Sequence, residues 1–139
     1  MRTYLSVFAG GLVGTALRLG ADLLLPHADD AFPVSTLLVN LAGAFVLGWL
    51  AGGLWTRPAT PTWVKAGVGA GVLGSFTTLS AVAASLTLLG AAGAWPVAAG
   101  YLAASVIGGL LLAGAGLALG SRLAHRPMPG EVTDAGATL

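Results

Sequence analysis

Four apolar runs, each close to the roughly 20 residues that carry an α-helix across a ~30 Å hydrocarbon core at ~1.5 Å per residue, dominate this sequence. They fall at about 3–25, 34–54, 64–89 and 96–120. In lipid such runs must satisfy their backbone groups internally, which a helix does. The expected fold class is therefore an all-α membrane protein of four transmembrane helices, with the lipid bilayer as its main solvent. Composition agrees: of 139 residues, 56% are hydrophobic and 8% charged, and mean hydropathy is +0.89. A soluble domain carries roughly 25% charged residues, because its surface must face water. Met1-Arg2 leads straight into the first run with no small-residue cleavage site, so that run is expected to be retained.

The separators carry breakers and interface anchors. Pro26-His27-Ala28-Asp29-Asp30 makes a first loop, Trp55-Thr56-Arg57-Pro58 with Pro61-Thr62-Trp63 a second, and Gly90 to Trp95 a short third. Pro96 fits the first turn of the helix that follows. Trp55, Trp63 and Trp95 stand where interfacial aromatic belts are expected. Residues 1–121 thus read as one transmembrane domain, and 122–139 as a polar, disordered tail.

Charge narrows the function. A net charge of +1 argues against a nucleic-acid partner held by counterion release. The absence of cysteine excludes disulfides and thiolate metal sites. No acid lies near the centre of any run, so no proton-coupled carboxylate is in view. No His/Asp/Glu cluster and no nucleophile–base pair is legible, so no enzyme is expected. With four crossings, Arg2, Arg57, Lys65, Arg122 and Arg126 share one side, five of the six basic residues. The positive-inside rule then places both termini in the cytoplasm of a multi-pass protein of the cell membrane.

Glycines four apart, at Gly10/Gly14, Gly48/Gly52, Gly67/Gly71 and Gly116/Gly120, give each run a face for close helix approach. Tight packing inside one bundle is the plainer use of such faces, a dimer interface the other. A compact bundle of four helices leaves little internal room, so a transport path is expected at a subunit interface.

Polar side chains inside the runs each need an explanation. Arg18 either snorkels and pairs with Asp22 one turn later or gathers anions in a vestibule. Thr36 and Asn40 share a helix face. The neutral amide of Asn40 offers two N–H donors, which can replace part of an anion's hydration shell and still release it, or can simply bond another helix. Gly71-Val72-Leu73-Gly74-Ser75-Phe76-Thr77-Thr78-Leu79-Ser80 puts glycine and hydroxyls in mid-membrane, which predicts a third helix broken near its middle. Carbonyls freed there suit a small hard cation; the alternative is a packing face tolerant of glycine and serine. Tyr101 and Ser105, one turn apart on the fourth run, extend a hydroxyl stripe.

Gly10-Gly11-Leu12-Val13-Gly14-Thr15-Ala16-Leu17-Arg18 resembles the first-helix signature of the Fluc/CrcB fluoride channels. Thr36-Leu37-Leu38-Val39-Asn40-Leu41-Ala42-Gly43 resembles their second-helix motif, and Gly74-Ser75-Phe76-Thr77-Thr78-Leu79-Ser80 their third. Three motifs in order on a four-helix chain make the likeness specific, over about residues 1–120. It implies a fluoride-specific channel built as an antiparallel dimer, with pores along the interface and a structural sodium ion at the centre. By the same resemblance Arg18 matches a vestibule arginine and Asn40 the pore asparagine. Thr36, Tyr101 and Ser105 match polar pore-lining positions, with Thr78 and Ser80 beside them. Gly74 and Thr77 match the residues whose carbonyls hold the sodium.

One departure stands out. The family places two phenylalanines three residues apart after the Thr-Thr pair, where a positive ring edge meets the anion. Here those positions are Leu79 and Val82, on one face but without rings. Three functions compete. The leading one is a passive fluoride-exporting subunit that relieves toxicity. The second is a non-conducting partner that completes another chain's pore, and the third a small multidrug or guanidinium exporter. The exporter would call for a glutamate deep in the first helix, and residues 3–21 contain no acid. The five-to-none basic bias further predicts a heterodimer with an oppositely oriented paralogue, because an antiparallel homodimer needs one sequence to insert both ways.

Overall fold

The computed structural model describes residues 1–26 and 31–124. All regular structure among them is helical. Helix α1 is Arg2–Leu24 and α2 is Val34–Gly52, the latter followed by a 3₁₀ turn at Leu54–Thr56. The third span starts as α3, Thr62–Ala66, widens into a π-helical stretch over Gly67–Leu73 and closes as the single turn α4, Gly74–Phe76. It resumes as α5, Leu79–Ala91, and α6 is Trp95–Ala124. Four spans are long and apolar enough to cross a membrane. Gly93, at φ 72°, makes the tight turn before α6, a left-handed conformation that glycine adopts without a Cβ penalty.

The expected boundaries hold to within a few residues. The fourth helix runs to Ala124 and keeps Arg122 in its last turn. The expected first-loop residues His27, Ala28, Asp29 and Asp30, and the expected tail from residue 125 onward, lie outside the described residues.

Every glycine pair singled out in the sequence is used inside the bundle. A Cβ on Gly10 or Gly14 would run into the carbonyls of Gly67 or Val72, and Gly71 lies against Val7. On the other side, Gly48 and Gly52 face the carbonyls of Ala113 and Leu117, while Gly116 and Gly120 face those of Phe45 and Trp49. Backbones this close gain dispersion contact, which drives helix association where lipid removes the hydrophobic drive.

These contacts also set the topology. Along α1, residues 6, 10, 14 and 18 meet 63, 67, 72 and 76 in order, so the first span and the first half of the third run parallel. Residues 41, 48 and 52 of α2 meet 108, 113 and 117, so α2 and α6 are parallel too. The bundle is two parallel pairs with sparse contact between them, α5 packing on α6. A cavity of about 310 Å³ lies between the pairs, bounded by Asn40, Gly43, Leu47, Gly69, Gly74 and Thr77.

The geometry brings the basic ends together. Lys65 Nζ donates to the Trp55 carbonyl at 2.6 Å and Ser6 Oγ donates to the Trp63 carbonyl at 2.8 Å. Gly120 packs on Gly53. Arg2, Arg57, Lys65 and Arg122 therefore stand at one end, and Arg18 and Asp22 toward the other. Large apolar side chains such as Leu5, Phe8, Leu110 and Leu111 face outward, as lipid contact allows. Trp63 and Trp95 are exposed as belt residues should be. Trp55 is not: its ring turns inward onto Gly69, where the missing side chain leaves room, and its indole nitrogen is buried.

Candidate functional site

The third span breaks at Thr77 and Thr78, both extended, at φ −86°, ψ 155° and φ −157°, ψ 131°. Thr77 N–H and Oγ1–H both donate to the Leu73 carbonyl, at 3.0 and 2.8 Å. Thr78 then caps α5: its Oγ1 accepts from Ala81 N–H at 3.4 Å and shares a 2.7 Å bond with Ser80 Oγ. A threonine N-cap of this kind satisfies one of the orphan donors of a helix start. Two extended residues remove the usual donors from the carbonyls just before them. Among the described residues no donor reaches the carbonyls of Gly74, Ser75 or Thr77. Two of these three, Gly74 and Thr77, are the positions that the family resemblance assigns to a cation.

Asn40 fastens the break to α2. Its Nδ2 donates to the Thr78 carbonyl at 3.0 Å and its Oδ1 accepts from the Thr78 N–H at 2.8 Å. One amide thus holds one residue of extended backbone from both sides. Among the described residues the second Nδ2 hydrogen has no acceptor, and Asn40 borders cavities on both flanks. The second cavity, about 290 Å³, is lined by Asn40, Thr77, Thr78, Leu79, Val82 and Ser105 among others. Ser105 Oγ is buried without a hydrogen-bond partner. The Asn40 amide therefore borders an apolar-walled space that Ser105 also lines, with the Ser105 hydroxyl itself buried on the Tyr101 side.

Leu79 and Val82 both line that space, as their spacing implied, but unequally. Leu79 is 81% exposed and Val82 is 7% exposed. Tyr101 lies deeper than a lining residue of a single chain, fully buried beneath the Phe32 ring in an edge contact of 5.5 Å. Its hydroxyl is buried near those of Ser105 and Ser85, its nearest hydroxyl neighbours, with no hydrogen bond of good geometry closed to either. Thr36, at 4% exposure, is buried one turn from Asn40.

Arg18 makes two contacts. Its Nη1 lies 3.5 Å from the Phe76 carbonyl at the end of α4, a long hydrogen bond, and its Nε is 3.8 Å from Asp22 Oδ2. Asp22 Oδ1 accepts from Ser35 Oγ at 2.9 Å. The structure therefore joins Asn40, Thr77, Thr78, Ser80, Leu79, Val82 and Ser105 around the break. It sets Arg18 at one edge of the break, and Thr36 and Tyr101 beneath the surface.

Sequence reasoning missed Phe32, Ser85 and the Ser35–Asp22 bond. Ser35 was visible beside Thr36, but no spacing rule links it to α1. No group of three or more His, Cys, Asp or Glu residues that could hold a metal occurs among the described residues. A cation at this break would rest on neutral oxygen donors, and the free carbonyls of Gly74 and Thr77 fit that donor type.

Four apolar spans, with the third broken around free carbonyls and a clamped amide, define a polytopic membrane protein with a polar break in its third span. The family model described as "CrcB-like protein, Camphor Resistance (CrcB)" matches residues 5–117. This chain belongs to that family. It is 40% identical over 116 residues to a protein of Geobacillus kaustophilus named fluoride-specific ion channel FluC 2, covering 83% of this chain and 90% of the relative. A protein of Azotobacter vinelandii named fluoride-specific ion channel FluC is also 40% identical over 116 residues, 83% of this chain and 94% of the relative. One of Bacillus thuringiensis subsp. konkukian, named fluoride-specific ion channel FluC 1, is 36% identical over 121 residues, 86% and 88% of the two chains. Relatives named as ion channels also carry the conclusion that this is not an enzyme.

Proposed function

We propose that this chain is a subunit of a fluoride channel in the cell membrane, which lets fluoride leave passively down its electrochemical gradient. The observation that carries the reading is the Asn40 amide, pinned to the Thr78 peptide with one hydrogen to spare at the edge of two cavities. Neutral donors suit a small, strongly hydrated anion: they replace part of its water without binding it so tightly that it cannot leave. Thr78 and Ser80 continue the hydroxyl path at the break, and Thr36, Tyr101 and Ser105 supply hydroxyls on α2 and α6. Arg18 stands at the mouth.

In this reading two subunits pair antiparallel, with pores along their interface. A structural sodium ion lies at the dimer centre, held by the Gly74 and Thr77 carbonyls of each chain. Both termini of this chain are cytoplasmic, because four of its basic residues stand at one end of the bundle. Its partner is an oppositely oriented paralogue. The partner supplies the phenylalanine rings that Leu79 and Val82 do not.

A second reading is favoured by the same two residues: this chain could line no working pore itself and only complete its partner's. Fluoride efflux from proteoliposomes separates the readings. Flux that needs both chains, and survives loss of Asn40 function in this chain, supports the non-conducting role. Flux that needs both chains and is lost with Asn40 supports the conducting one. Absence of fluoride efflux from every assembly would sink the proposal.

A further inference from the structure

Arg18 and Asp22 are the only charged groups among the described residues toward the end of the bundle where α1 finishes and α2 begins. Their surroundings form an alternating series. The carbonyl of Phe76, at the end of the helical stretch, carries partial negative charge, and Arg18 Nη1 approaches it at 3.5 Å. Asp22 Oδ2 faces Arg18 Nε at 3.8 Å from one turn further along α1. The other carboxylate oxygen is fixed by the fully buried Ser35 hydroxyl, in the first turn of α2. That helix start has Pro33 as its cap and no side-chain capping bond, so the carboxylate also supplies negative charge to a positive helix end.

We propose that Asp22 is the fixed counter-charge of Arg18, and that the pair cancels the arginine's pull on anions at this mouth. A lone guanidinium raises the local anion concentration. One with a carboxylate beside it, held by a buried hydroxyl, presents a short dipole whose field fades within a few ångströms. The side chains are 19% and 41% exposed in the single chain, so the pair is no buried ion pair and adds little to stability. Its consequence is electrical. The bearing on fluoride rests on the channel reading above, but the charge pairing is measurable without any flux.

The sequence has no cysteine, so one introduced thiol reports alone. Leu25→Cys, at the exposed C-cap of α1 one turn beyond Asp22, places it at this mouth. The readout, on the full chain in liposomes, is the ratio of its modification rates by negatively and positively charged methanethiosulfonate reagents. Adding Asp22→Asn should raise the ratio about fivefold at low ionic strength. A unit charge ~8 Å away in a water-like dielectric changes each rate about twofold, in opposite directions. At ~1 M salt the gain should vanish. If Asp22→Asn does not assemble, Arg18→Gln gives the mirror result, about a fivefold fall. Where the double variant can be made, it should return the ratio to its parent value. An unchanged ratio in either single variant overturns the proposal. In the conducting assembly, Asp22→Asn should also raise flux about twofold at sub-saturating fluoride. Absence of flux in the parent would count against the channel reading and leave the thiol result standing.

Discussion

At Asn40 one carboxamide donates to the Thr78 carbonyl at 3.0 Å and accepts from the Thr78 N–H at 2.8 Å, which leaves a single hydrogen for a ligand. Asn40→Asp keeps the acceptor for Thr78 N–H, so the bundle should still assemble as judged by size-exclusion chromatography. Fluoride flux should disappear. A carboxylate ~4 Å from an anion at an effective dielectric of ~20 repels it by about 4 kcal/mol, roughly a thousandfold in occupancy. Unchanged flux from a folded Asn40→Asp protein would remove this residue from the ion path. At this scale the sequence revealed half of the arrangement. Arg18 and Asp22 are readable as partners because they lie four apart on one helix. Asn40 is not, because an amide that clamps a backbone and one that binds an anion look the same in a sequence. Here the one amide can serve both uses.

Among the elements, the break is the most consequential, and its place is legible. A glycine followed by clustered hydroxyls pointed to residues 74–78, and extended backbone occurs at Thr77 and Thr78. The π-helical stretch at Gly67–Leu73 was not legible, since Gly-Val-Gly-Ala-Gly-Val-Leu has no periodicity that tells a π turn from an α turn. A Cβ at Gly74 would find only the Gly69 carbonyl, at 3.6 Å. Gly74→Val should therefore fold within one chain yet crowd the carbonyls at the break. On the sodium site and dimer proposed above, the expected result is loss of sodium-dependent thermal stabilisation and of dimer association in detergent, with helical content kept. Gly116 differs. Any side chain there meets the Phe45 carbonyl, so Gly116→Leu should part α2 from α6 and cost about 1–3 kcal/mol, read as a lowered unfolding temperature.

For the whole molecule, the charge distribution carries a prediction of which way it inserts. Arg2, Arg57, Lys65 and Arg122 stand at one end of the described bundle. A reporter fused to the C-terminus should be found almost wholly in the cytoplasm. Copies that all face one way cannot form an antiparallel pair, so flux should require co-expression of an oppositely oriented relative. Robust fluoride transport by the purified chain alone would overturn the heterodimer. The number of spans was readable from apolar length alone. Which span lies beside which was not, because every span offers a glycine face and the pairing depends on register.

That pairing bears on the order of events during synthesis. The tightest contacts skip a span: α1 waits for Gly67 and Val72, and α2 waits for Ala113 and Leu117. When the second span leaves the ribosome, neither it nor the first yet has its parallel mate. The glycine face of α2 stays bare until almost the entire described chain has been made. A fragment ending near residue 92 should thus enter the membrane with α2 still unmated, exposed to helix exchange and proteolysis. Closure of the α2 glycine face therefore waits for α6, the last described helix.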